Sequence, residues 1–375
     1  MCEKTKKATT IFSIKKATIK DNTKEFNDKT LNNDINKEYI IIIGTQLFQH
    51  REGLKKIAYL KDAFLGSDAG PNGKFMFIHQ AIRRVKKNQE YDYNWTILLY
   101  KEGYTTAQIN RTKECFKTFA SKCNFLEINS YQEAINYINT RKTKELKDNK
   151  LRTQVLIERI FFFCHGEPLK LSMMYRSGFT KGDTKMDWDE NVVKKLDKNA
   201  FSKTAKIYSF ACRTGLGNPE IDETIFKEKP PIGNVLPIYI DEFDKYDRDN
   251  PMPLLPTKSL AQKIANQTGA VVLAYICRSD YSETLNTSDE LDFMNYYRAG
   301  DGEKLYRKNE EYNYLLDKNN RTKEDIKRYK ELSKIEERRE YIDGKVFDFE
   351  GARYPVKGGN TPIGTPKDMK TYRKI

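Results

Sequence analysis

Two residues able to do covalent chemistry follow two strongly apolar runs. His165 ends Ile160-Phe161-Phe162-Phe163-Cys164 and is followed by Gly166; Cys212 ends Ile207-Tyr208-Ser209-Phe210-Ala211, 47 residues further on. A thiolate is a nucleophile, and a nearby imidazole can take its proton and later protonate a leaving group. Gly166 lets a substrate backbone approach closely. Its N–H, with that of Cys212, could stabilise an oxyanion. The pair therefore points to acyl transfer through a thioester. The remaining candidates are weaker. His79 lies mid-helix among Phe77 and Ile78 and reads as a core or surface residue, and His50 has no evident partner. Cys164 and Cys277 read as packing residues. The six cysteines contain no CxxC pair, so neither a zinc site nor a thioredoxin motif is indicated, and a reducing, cytoplasmic setting is expected.

The elements that must position this pair alternate regularly. Short β-branched or aromatic runs predict buried strands at 39–44, 95–100, 125–128, 154–164, 206–211 and 270–275. Helical spacing falls between them at 75–87, 105–122, 131–140, near 189–197 and at 260–268, the last closed by Gly269. Alternating strands and helices predict an α/β fold, a mostly parallel sheet with helices on both faces. Ligands of such sheets bind beyond the carboxyl ends of the strands, where His165 and Cys212 fall. Residues 1–38 read as a polar N-terminal arm and 39–284 as the core. Residues 285–345 read as a charged helical insertion near the C-terminus, with Leu315, Leu316, Ile326, Tyr329, Leu332 and Ile335 at helical spacing. Residues 346–375 read as strand and turns completing the core.

The stretch Ala211-Cys212-Arg213-Thr214-Gly215, with a His about 50 residues upstream, resembles the signature of caspases. The apolar runs before His165-Gly166 and Ala211-Cys212 are similar to those of clan CD cysteine peptidases. That clan includes caspases, metacaspases, gingipain-like and clostripain-like enzymes, separases and CHAT-domain proteases. Ser259 to Ala270 also resembles a helix and strand of bacterial caspase-like domains. The likeness covers about residues 39–280. It departs from true caspases at Phe210, where the signature has Gln, and at Thr214, an extra residue before the Gly. The resemblance therefore implies the clan and a caspase-like three-layer sandwich, without aspartate specificity.

The resemblance also implies a cysteine endopeptidase acting on protein or peptide substrates with no cofactor. His165 would be general base and acid, and Cys212 the nucleophile. Loops after the strands often carry the first subsite's charge in this clan. Arg278 would favour an acidic residue before the scissile bond and Asp280 a basic one; Arg51 could assist the acidic reading. Asp280 is slightly preferred, since several bacterial relatives cut after basic residues. The acidic loop Asp241, Glu242, Asp244, Asp247 and Asp249 could bind calcium, as in some metacaspase-like enzymes. It lacks the EF-hand Gly and final Glu, and reads instead as a solvated or substrate-facing loop. By analogy, self-processing within 217–256 or an activating partner would switch such an enzyme on.

Composition bounds the alternatives. Lys plus Arg number 67 against 53 Asp plus Glu, a net charge of +14. The excess is dispersed, apart from short clusters such as Arg83, Arg84, Lys86 and Lys87, so it reads against a nucleic-acid face. Aromatics at 12% are too many for a disordered chain. No run approaches the ~18 apolar residues of a membrane span, and MCEKTKKATTIFSIKK lacks an apolar stretch of signal-peptide length. Two rivals to the peptidase remain: an inactive caspase-like binding or scaffold module, and a basic nucleic-acid-associated effector.

Overall fold

Ile40 to Ile43 place apolar side chains alternately on both faces of one strand, so both faces must be covered. In the computed structural model this happens in a mixed α/β unit spanning Ile35–Ile375. The residues described are 37–45, 73–144, 146, 150–174, 186–219, 254–281, 284, 310–337, 339–343, 345–359 and 367–375.

Among the described residues a seven-stranded sheet forms the centre. Its strands are β1 (Lys37–Ile43), β2 (Asn94–Tyr100), β3 (Cys123–Ile128), β4 (Leu156–Phe163), β8 (Phe201–Ser209), β9 (Val271–Ala274) and β14 (Lys370–Tyr372), in the order β14-β9-β8-β4-β1-β2-β3. All neighbours run parallel except β14, which closes the β9 edge antiparallel. The chain builds outward from β1 to β3, then reverses and builds from β4 to β9. The switch point of the sheet lies between β1 and β4, beside the strand that leads to His165.

Helices cover both faces. Ile40, Ile42, Leu98, Phe162 and Ile207 pack with α3 (Tyr131–Thr140), the single turn α4 (Glu190–Val193) and α5 (Leu260–Thr268). Ile41, Ile43, Ile97, Leu99, Phe161 and Phe163 pack with α1 (Met76–Lys86) and α2 (Thr106–Phe119). Local signals fix the helix ends. Thr105 and Gln108 form a reciprocal capping box on α2, Ser259 caps α5, and Gly269 ends α5 at φ 74°. Two further helices, α6 (Glu310–Asp317) and α7 (Lys323–Glu337), follow in the charged segment. Among the described residues no helix is long and apolar enough to cross a membrane.

Three readings need correction. The polar arm was expected to reach residue 38, yet Lys37 and Glu38 already belong to β1 and Glu38 is fully buried. Its carboxylate is not solvated: it accepts from Thr96 Oγ1 at 2.6 Å and Tyr137 Oη at 2.5 Å, and pairs with Arg152 and, at 3.6 Å, with Arg141. The helical segment was expected to reach 345, but β11 (Arg339–Ile342) and β12 (Lys345–Asp348) form an antiparallel hairpin. Asp343, just past β11, takes a left-handed φ of 52°. Phe347 is fully buried and meets Phe75 edge-on. The helix expected near 189–197 is the single turn α4 followed by a short 3-10 turn, Lys198–Ala200, because β8 starts at Phe201.

Two small ribbons stand at the carboxyl ends of the central strands. One comprises β5 (His165–Glu167), β6 (Lys170–Ser172) and β7 (Asp187–Trp188). The other pairs β10 (Ser279–Asp280) with β13 (Lys357–Gly358).

Candidate active site

β4 and β8 lie side by side, and their pairing continues to the end: Phe210 N–H donates to Phe162 O at 3.0 Å, and the Phe163 and Phe210 rings stack at 4.7 Å. Phe210, which stands where the caspase signature has Gln, is thus a buried packing residue that aligns the two strand ends. The next residues on each strand are the site. His165 and Cys212 are both half-buried at neighbouring strand ends.

Gly166 brings the two ends into contact. A Cβ at Gly166 would stand 2.3 Å from Cys212 O, 2.9 Å from Ala211 Cβ and 3.1 Å from Cys212 N. Only a residue without a side chain fits. Gly166→Ala should therefore push the β5 ribbon off the Cys212 loop. We expect a loss of ~1–3 kcal/mol in unfolding free energy and a fall in any Cys212-dependent activity, read by urea denaturation beside a thiol-reactivity assay.

Each reactive side chain has its own supports. The Phe77 ring, on α1, stands nearly perpendicular to the His165 ring, at 81° with centroids 5.0 Å apart. Tyr281 packs on the same Phe77 ring and donates its hydroxyl hydrogen bond to Phe210 O at 3.1 Å. Past Cys212 the backbone turns sharply. Arg213 takes a left-handed φ of 52° and its N–H donates to Cys277 O at 2.9 Å. Thr214 Oγ1 bonds Ser209 Oγ at 2.7 Å, and Gly215 N–H donates to Tyr275 O at 2.8 Å. From the far edge of the sheet, the Tyr372 hydroxyl donates to Gly215 O at 2.6 Å. A side chain on Gly215 would collide with that hydroxyl.

The hydrogen-bond partners of the Cys212 sulfur, among the described residues, all belong to Ser279. The Ser279 N–H donates to Sγ at 3.3 Å, Ser279 Oγ lies 3.2 Å away, and Ser279 O is at 3.8 Å. Nothing in the sequence singled out Ser279 beyond its place just after β9, in the same Cys277-Arg278-Ser279-Asp280 loop as the two expected subsite residues. Arg278 is half-buried, and its carbonyl accepts from Gly359 N–H at 2.6 Å. Asp280 is half-buried and pairs in register with Lys357 on β13. Arg51, His50, the acidic loop 241–249 and most of 217–256 lie outside the described residues. His79 is a core residue: its Nε2 accepts from Asp348 N–H at 3.0 Å.

The other described cysteines differ from Cys212 in their surroundings. Burial pushes the Cys115 and Cys123 thiols up to about 12 and Cys277 up to about 11, and holds fully buried Cys164 well above the ordinary thiol range. A raised value means less thiolate at a given pH, and the thiolate is the species that alkylates. Iodoacetamide at pH 8 should therefore label Cys115, Cys123, Cys164 and Cys277 at least ~10-fold more slowly than an ordinary thiol. Peptide mapping of the labelled protein at short times reads these rates.

Among the described residues no group of three or more His, Cys, Asp or Glu is placed to hold a metal ion. No family model matches the chain, and neither curated proteins nor solved structures give a match.

Proposed function

We propose that the chain is a caspase-like cysteine endopeptidase of clan CD. The observation that carries this reading is the contact of Gly166 with the Cys212 backbone, which sets His165 and Cys212 at the ends of adjacent parallel strands. In this reading the central sheet and its helices are the three-layer sandwich of that clan. His165 takes the proton of the Cys212 thiol, and the thiolate attacks the scissile carbonyl carbon. The N–H groups of Gly166 and Cys212 face the oxyanion; that of Arg213 is already spent on Cys277 O. Imidazolium then protonates the departing amine, leaving a thioester that water hydrolyses with His165 again as base.

Arg278 and Asp280 both flank the residue that touches Cys212. Substrates carry an acidic residue before the scissile bond if Arg278 lines the first subsite, and a basic one if Asp280 does. Profiling a peptide library with wild type beside Cys212→Ala tests the whole reading. Cleavage by wild type that the variant lacks is the expected result. Equal cleavage by both, with the fold intact by circular dichroism, overturns it.

A further inference from the structure

We propose that Ser279 is a third member of the reacting group, a donor that holds the Cys212 sulfur and stabilises its thiolate. The inference deepens the peptidase reading and rests on Cys212 being its nucleophile. Three observations carry it.

First, the contact is doubled. One residue presents both its backbone N–H, at 3.3 Å, and its hydroxyl, at 3.2 Å, to the same sulfur. Two donors converging on one atom stabilise a negative charge there more than a neutral one. Second, the hydroxyl can serve both protonation states. Beside the neutral thiol it accepts the S–H hydrogen. When the proton passes from sulfur to the His165 imidazole, giving thiolate and imidazolium, the hydroxyl rotates and donates to sulfur instead. The backbone N–H needs no such change. Third, Ser279 is held from both sides. It belongs to β10, paired in register with Gly358 of β13. Arg213 N–H donates to Cys277 O, two residues upstream, and Gly359 N–H to Arg278 O, one residue upstream. Ser279 is itself buried. A donor fixed before the reaction costs little reorganisation when the charge forms.

The arrangement also explains why Cys212 stands on a left-handed turn. With Arg213 at φ 52°, the chain doubles back, and its N–H reaches the carbonyl of Cys277. This draws the residue after the nucleophile onto the Cys277–Ser279 loop and sets Sγ against Ser279.

The test is the rate of Cys212 alkylation by iodoacetamide from pH 5 to 10, followed by peptide mapping, in full-length wild type, Ser279→Ala and Ser279→Thr. Loss of the hydroxyl donor disfavours the charged form, so the Ser279→Ala profile should move up by about one pH unit, with alkylation about tenfold slower at pH 7. Ser279→Thr keeps a hydroxyl and should restore the wild-type profile. Superposable wild-type and Ser279→Ala profiles overturn the proposal. So does an equal shift in both variants, which marks a change in packing. Ser279→Gly provides the same comparison where Ser279→Ala does not fold. Alkylation requires no peptide cleavage, so failure of the peptidase reading leaves this result interpretable, and an unmoved profile in an active peptidase rejects Ser279 alone.

Discussion

If the proposed peptidase reading holds, Cys212→Ala is expected to take peptide cleavage to background, and His165→Ala to leave between about 10⁻² and 10⁻⁴ of the wild-type kcat/KM. The two losses differ in kind. Without the sulfur there is no acyl-enzyme, and the Gly166 and Cys212 N–H groups have no covalent intermediate to hold. Without the imidazole the sulfur remains, and its thiolate forms only by losing the proton to solvent. Residual cleavage by His165→Ala should therefore rise with pH toward the alkaline range. A 10⁴-fold loss corresponds to about 5.5 kcal/mol of transition-state stabilisation. The double variant should be no slower than Cys212→Ala alone, because the two side chains act as one unit. Kinetics on the best library peptide, with circular dichroism as the control for folding, measure all three. A loss of less than about tenfold in His165→Ala would mean that the sulfur acts without the imidazole.

The second large effect concerns stability, at the opposite end of the sheet. Glu38 is fully buried on β1 among Thr96, Tyr137, Arg141 and Arg152. Arg152 is also tied to Ile138 O at 2.7 Å and to Val155 O at 3.0 Å, so it cannot swing to water without breaking further bonds. Glu38→Ala removes the carboxylate that Arg152 and Arg141 both meet and leaves an empty space beside two buried guanidinium groups. We expect a loss of about 3–5 kcal/mol in unfolding free energy. That is a large share of the ~5–15 kcal/mol typical of a domain. The double variant Glu38→Leu with Arg152→Met removes the Glu38–Arg152 pair, though not the Arg141 charge, and should recover part of the loss, since a buried pair contributes little beyond an apolar pair of similar volume. Urea unfolding with an unchanged m value reads the difference. A loss below about 1 kcal/mol in Glu38→Ala would show that the cluster is well hydrated.

What could be read from the residues follows the range of the interactions involved. β1, β2, β4, β8 and β9 are written as local apolar runs, and the caps of α2 and α5 are three-residue patterns. These are legible because the cause lies within one element. His165 and Cys212 stood out because strand ends are where parallel sheets place chemistry. Ser279 did not, because its partner is 67 positions away and a serine in a loop carries no periodic signal. The polar arm reads too far into the start of β1 for the same reason: Glu38 is neutralised by Arg152, 114 positions distant. The β11–β12 hairpin is different. Asp343-Gly344 between Tyr341-Ile342 and Val346-Phe347 is a local signal, overshadowed by the helical spacing that ends only at Glu337.

The bond from Tyr372 to Gly215 has a consequence in time. It joins residues 157 positions apart, and β14 is placed on the sheet only through partners made long before it. At ribosomal speeds of about 5–20 residues per second, about 8–30 s separate the synthesis of the Cys212 loop from that of the tyrosine that braces it. During that interval β1 to β4, β8 and β9 can pair, while the loop that carries the sulfur lacks its outer brace. The nascent chain therefore passes through a state in which the sheet can form while the Cys212 loop is unbraced, and the loop is fixed by the arrival of β14 rather than by its own synthesis.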